Sequence, residues 1–145
     1  MKRLICSLAF IVTVAAAGTP AFAQQSGGLR VEFQGPGGHS SGAYGRVSAL
    51  HAAARAVILI QQALPSGSYE ITNLTGGNSV NSIASDGLVE MKLNAATAAA
   101  YQALVTAVTN AASEGAAAEN QFRGVKAGDL TSGAPATVRF VVTLF

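Results

Sequence analysis

Two glycine-bracketed polar loops hold the residues best able to do chemistry: GPGGHSSGAYG over Gly35–Gly45 and GGNSVNSI over Gly76–Ile83. The first carries His39, an imidazole that can donate, accept or take up a proton near neutral pH. The second carries Asn81, an amide with donors and an acceptor on one short side chain. Two readings stand open for each. His39 is either a ligand-facing group or an exposed loop residue with no task, and Asn81 either touches a ligand or satisfies backbone groups in a tight loop. Ser40 and Ser41 have no base and acid partner that would make a nucleophile of them. The glycines read as backbone shapes forbidden to other residues, because no Walker or dinucleotide spacing accompanies them. His51, within a helical pattern, reads as a packed or capping residue.

Met1 to Ala23 has the form of an export signal. Lys2 and Arg3 give a basic start, Leu4 to Ala17 is an apolar run broken only by Ser7 and Thr13, and Ala21-Phe22-Ala23 places small residues at a cleavage point. The run is shorter than the roughly 20 residues of a membrane span. Cleavage after Ala23 would remove Cys6, the one cysteine, and leave residues 24–145 with no disulfide and no membrane attachment. It would also remove two of the nine Lys and Arg residues, so that the rest balance the seven Asp and Glu residues. A neutral chain has no persistent basic face for nucleic acid. The expected location is the periplasm or the medium.

The elements that must hold the two loops alternate in a regular order. Leu29, Val31 and Phe33 alternate with charged residues and predict a strand after a flexible lead-in over Gln24–Gly28. Val47–Leu64 has helical spacing at Leu50, Ala53, Ala54, Val57, Ile58 and Gln61, and Pro65-Ser66-Gly67 ends it. Strands are expected at Tyr69–Thr75 and Leu88–Leu93, the latter with Val89, Met91 and Leu93 on one face. Ala95 to about Ala118 predicts a second helix with a stripe at Tyr101, Leu104, Val105, Val108 and Ala112. The last strand is expected over Ala136–Leu144, with Val138, Phe140, Val142 and Leu144 inward and Val141 and Phe145 left apolar on the outside. Such an exposed pair implies something that covers it. The order βαββαβ is the split βαβ, or ferredoxin-like, α+β arrangement: a four-stranded antiparallel sheet with two helices on one face. One domain over residues 29–145 follows.

Strand, GPGGHSSGAYG, the helix SALHAAARAV, strand, GGNSVNSI, the strand GLVEMKLN and an alanine-rich helix together resemble the dimerisation or lid domain of a family of zinc-dependent exopeptidases and amidohydrolases. Carboxypeptidase G, peptidase T, the aminoacylases and succinyl-diaminopimelate desuccinylase belong to it. The resemblance implies that His39 reaches across a dimer into a neighbouring active site and helps hold the oxyanion formed when zinc-activated water attacks an amide. It implies that Asn81 touches substrate polar groups from the same side, and that His51 and Arg55 are structural. This chain departs from the pattern twice. Ala84 stands where the family usually has proline, and Asn94 where it has an arginine that clamps a carboxylate, a task that needs a charge and a forked donor pair.

The metal-binding half of such a peptidase has no counterpart. A two-zinc site needs several histidines and carboxylates converging with a position open for water. Beyond residue 23 there are only His39 and His51, Asp86 and Asp129, and five glutamates, with no ligand-like spacing. No metal and no cofactor are expected. The preferred reading is an exported, non-catalytic homodimerisation module in which edge strands of two copies pair into one eight-stranded sheet. Two alternatives remain: a separately encoded lid that donates His39 in trans to a zinc peptidase subunit, and a binder of peptides or small acids that uses the two loops as a rim.

Overall fold

A computed structural model describes residues 24–145; the expected signal peptide lies outside them. In chain order the elements are β1 Gln25–Gln34, β2 Gly38–His39, α1 Ser40–Ala43, α2 Ala49–Ala63, β3 Tyr69–Thr75, β4 Ser82–Ile83, β5 Asp86–Ala95, α3 Ala98–Phe122, β6 Leu130–Thr131, β7 Ala134–Pro135 and β8 Arg139–Leu144. The four long strands form one antiparallel sheet in the order β3-β5-β1-β8. Leu29, Val31 and Phe33 of β1 and Val89, Met91 and Leu93 of β5 point into a single core shared with α2 and α3. Arg30, Glu32, Glu90 and Lys92 alternate onto the open face, as strand geometry requires. The βαββαβ skeleton is thus the expected one, with α1 and two two-stranded ladders, β2-β4 and β6-β7, added in its loops.

The segment expected as a flexible lead-in is paired. Gln25, Ser26, Gly27 and Gly28 face Ala95, Asn94, Leu93 and Lys92 in the ladder with β5, and Gly28 exchanges both backbone hydrogen bonds with Phe145 at 2.8 and 2.9 Å. Its two glycines admit large neighbours: a Cβ on Gly27 would sit 2.5 Å from the Tyr101 hydroxyl, and one on Gly28 2.5 Å from the Phe145 ring. At the other end, β8 begins at Arg139 rather than Ala136. Asn120 is the cause: its side chain accepts from Val138 N at 2.7 Å and donates to Val138 O at 3.2 Å, taking the place of a strand neighbour. Val138 is buried, but Leu144, expected inward, is 51% exposed.

Helix α2 turns a different face inward from the one its large aliphatic residues mark. Ala49, Ala52, Ala53, Ala56 and Ile60 are buried, whereas Ile58 is 54% exposed. Size decides this. A Cβ on Gly115 of α3 would lie 2.8 Å from both Ala52 O and Ala56 N, so the two backbones touch where only glycine and alanine fit. The start of α2 sits equally close over β5, because a Cβ on Gly87 would lie 2.5 Å from Ala49 O. These two approaches fix α2 in place, and with it the loops at its N-terminal end. The helix starts are set by Ser48 and Thr97, whose hydroxyls accept from His51 N and Ala100 N.

Candidate functional site: the joined loops and the cleft beside them

The two polar loops meet. After β1, positive φ angles at Gly37 (62°) and Gly38 (140°) turn the chain so that Gly38 and His39 pair with Ile83 and Ser82 in the β2-β4 ladder. Ser40 N donates to Asn81 O at 2.9 Å, and the Asn81 amide nitrogen lies 3.0 Å from His39 Nε2. The second loop is braced internally: the Ser82 hydroxyl donates to Asn78 Oδ1 at 3.1 Å and to Ser79 O at 3.0 Å, and Ser79 Oγ contacts Asn81 Oδ1. His39 and Asn81 are both exposed.

The backbone settles which imidazole nitrogen carries the proton. Ser41 N, a fixed donor, points at His39 Nδ1 from 3.2 Å, and Ser41 Oγ lies 2.8 Å from the same atom. Nδ1 is therefore an acceptor, and in the neutral ring the proton sits on Nε2. An Nε2–H needs the amide oxygen of Asn81 in front of it. A half-turn of that amide supplies it and leaves Nδ2 donating to Ser79 Oγ. The result is an Nε2–H that donates to Asn81 and fastens the first loop to the second.

Beside this junction lies an open cleft of about 670 Å³, between the Gly76–Ala84 loop and the start of α2. Arg46, His51 and Arg123 line it together with the hydroxyls of Ser48, Ser79 and Ser82. Behind its floor is a residue to which the sequence gives no prominence. Glu119 is fully buried on α3 and gathers Ser48 N at 3.1 Å, Arg55 Nε at 3.3 Å, Arg123 Nε at 3.2 Å and, at 3.8 Å, His51 Nδ1. Arg55 and Arg123 also flank the exposed Phe122 ring, at 5.3 and 4.9 Å from its centroid. Arg55 thus has the structural placement expected of it, whereas the His51 side chain, expected to be packed or capping, is exposed and lines the cleft. A glutamate in an alanine-rich helix gives no hint of burial; an i, i+4 spacing to Arg123 was the only local trace.

Among the described residues, no group of three His, Cys, Asp or Glu side chains is placed to hold a metal ion, and no helix is long and apolar enough to cross a membrane. Asn94 pairs with Ser26 at the far end of β5 from Asp86. It stands at the opposite end of the sheet from His39 and Asn81.

A family model described as the peptidase dimerisation domain matches residues 24–120. The chain belongs to this family. The dimerisation domain superposes on larger solved proteins: an aminobenzoyl-glutamate utilization protein from Klebsiella pneumoniae (17% identity, TM-score 0.64, 88% of this chain and 31% of that one), a hydantoinase/carbamoylase family amidase from Burkholderia ambifaria (19%, 0.63, 86% and 28%), and a tripeptidase from Staphylococcus aureus (16%, 0.60, 83% and 29%). At these identities the likeness concerns the fold, and this chain spans under a third of each. No curated protein matches the sequence. Within the dimerisation domain, Ala84 occupies the position expected to be proline; it is buried, and its carbonyl accepts from Ala49 N at 3.0 Å, an arrangement a proline carbonyl could also make. Asn94 stands where the clamping arginine was expected, and its backbone N–H donates to Ser68 O at 2.8 Å.

Proposed function

We propose that this chain is an exported, non-catalytic dimerisation module that joins to a second copy along β3. The sheet has two free edges, β3 and β8, and the helix flank beside each one differs. At about 100° per residue, the side of α2 turned away from α3 carries Leu50, Ala54, Val57 and Gln61, with Ile58 next to it. Gln61 and β3 residues Tyr69 to Ile71 line one shallow groove, which places this flank at the β3 edge. The corresponding side of α3, beside β8, carries Gln102, Thr106, Thr109, Ser113 and Asn120. Two copies paired through β3 would bring two apolar α2 flanks together over the seam and close an eight-stranded sheet. The apolar flank beside a free edge is the observation that carries this reading. The oligomeric state of the protein in solution tests it, and a stable monomer would refute it.

A second reading is favoured by the rim of the cleft. Tyr44 is 92% exposed and Val80 fully so, and the exposed His39–Asn81 pair stands beside Val80 at the same rim. A lid acting in trans on a zinc peptidase or amidohydrolase subunit would use such a rim. Its test is hydrolysis by a reconstituted pair, in which His39→Ala should lower turnover; unchanged turnover removes the role.

A further inference from the structure

We propose that the cleft between the Gly76–Ala84 loop and the start of α2 binds a small organic carboxylate with an apolar body. The two loops taken alone are nearly uncharged, and the fold supplies what they lack. Arg46 arrives from the end of the first loop, His51 from the first turn of α2 and Arg123 from the C-cap of α3, and all three line the same space. Among the described residues that line it, none is an aspartate or glutamate. Glu119, the one carboxylate behind the cluster, is buried and faces two arginines, Arg55 and Arg123, besides His51, so that positive charge is left over.

The arginines are tethered but not used up. Arg46 donates from one Nη to Gly37 O at 3.1 Å, and Arg123 donates from Nε to Glu119. A guanidinium has five N–H donors in a rigid fork, so each retains free donors from a side chain already held in place. That arrangement suits a carboxylate, whose two oxygens accept paired hydrogen bonds. Leu50, Val80 and Ile83 line the remaining wall, which favours a ligand with an apolar body over a bare inorganic anion. The cleft lies within one protomer, so this inference stands or falls apart from dimer formation.

Benzoate, benzamide and inorganic phosphate separate the possibilities when each is titrated into the protein and followed by amide NMR shifts. Benzoate should give saturable shifts at Ser48, Ser79 and Ser82, and benzamide, of the same shape without the charge, should bind at least about tenfold more weakly. Phosphate should also bind more weakly. Arg46→Gln should reduce benzoate affinity about tenfold while leaving the rest of the spectrum dispersed. The inference is overturned by absence of saturable shifts at tens of millimolar benzoate, by equal binding of benzamide or phosphate, or by a folded Arg46→Gln protein that binds as before.

Discussion

The side chains of His39 and Asn81, 42 residues apart in sequence, meet at 3.0 Å, with the imidazole fixed from its other side by the Ser41 amide. The expected consequence is that the His39 ring, in its neutral form, carries the proton on Nε2. Nitrogen NMR of the ring should show that tautomer at pH values where the imidazole is neutral. Asn81→Ala should leave it in place, because Ser41 rather than Asn81 dictates it. A ring protonated on Nδ1 would contradict the assignment.

Glu119 is the residue on which Arg55, Arg123 and His51 converge, and removing it strands the two arginines. Glu119→Ala should destabilise the fold by about 3 kcal/mol, the low end for breaking a buried ion pair, since Arg55 and Arg123 retain some contact with water. Denaturant unfolding measures it. A loss within about 0.5 kcal/mol, typical of a surface change, would show that the cluster is not structural.

Gly115 tests the close approach of α2 and α3. Alanine is the better helix former by about 1 kcal/mol, so an open site would gain stability from Gly115→Ala. Here the added methyl meets the Ala52 and Ala56 backbone at 2.8 Å, and a net loss of about 1–3 kcal/mol is expected from the overpacking. A more stable variant would mean that the helices separate freely.

Arg30 and Glu90 form an ion pair on the open face at 2.6 Å. Hydrogen bonds from Arg30 first and Asn73 second hold the Glu90 carboxyl below its ordinary value of 4.5. A depressed carboxylate contributes stability that is complete above its unfolded pKa and is lost as pH falls through its folded one. Wild-type stability should therefore fall on acidification below about pH 4.5 more steeply than that of Arg30→Met, in which Glu90 loses its main donor. Parallel pH profiles for the two proteins would contradict the link.

Much of this molecule is legible in its sequence. Alternation at Leu29, Val31 and Phe33 and at Val89, Met91 and Leu93 gives the two central strands and their buried faces, because one side of a sheet is covered and the other is wet. The paired loops give the family. What escapes is set by partners distant in sequence. Gly27 and Gly28 look like a flexible lead-in until Tyr101 and Phe145 fill the space their missing side chains leave. Leu50, Val57 and Ile58 look like the core face of α2, but Gly115 admits only alanine there, which leaves the larger residues on a flank. Arg46, His51 and Arg123 come together only in the folded chain, and the buried glutamate that holds Arg123 is marked locally by nothing beyond its i, i+4 spacing to that arginine.

The flank comparison separates the two edges. Ile58 and Val141 are similarly exposed, at 54% and 61%, so a charge at either should leave the monomer fold intact. Ile58→Glu should weaken self-association at least about tenfold, because two carboxylates would face each other at an apolar seam. Val141→Glu should leave it unchanged. The reverse pattern would place the seam at β8.

The most direct measurement is sedimentation equilibrium of the wild-type protein at micromolar concentration beside Ile58→Glu. A wild-type dimer that becomes monomeric with the charge on α2 is the expected result. A wild-type protein that sediments as a monomer throughout would contradict a dimerisation module built on the β3 edge.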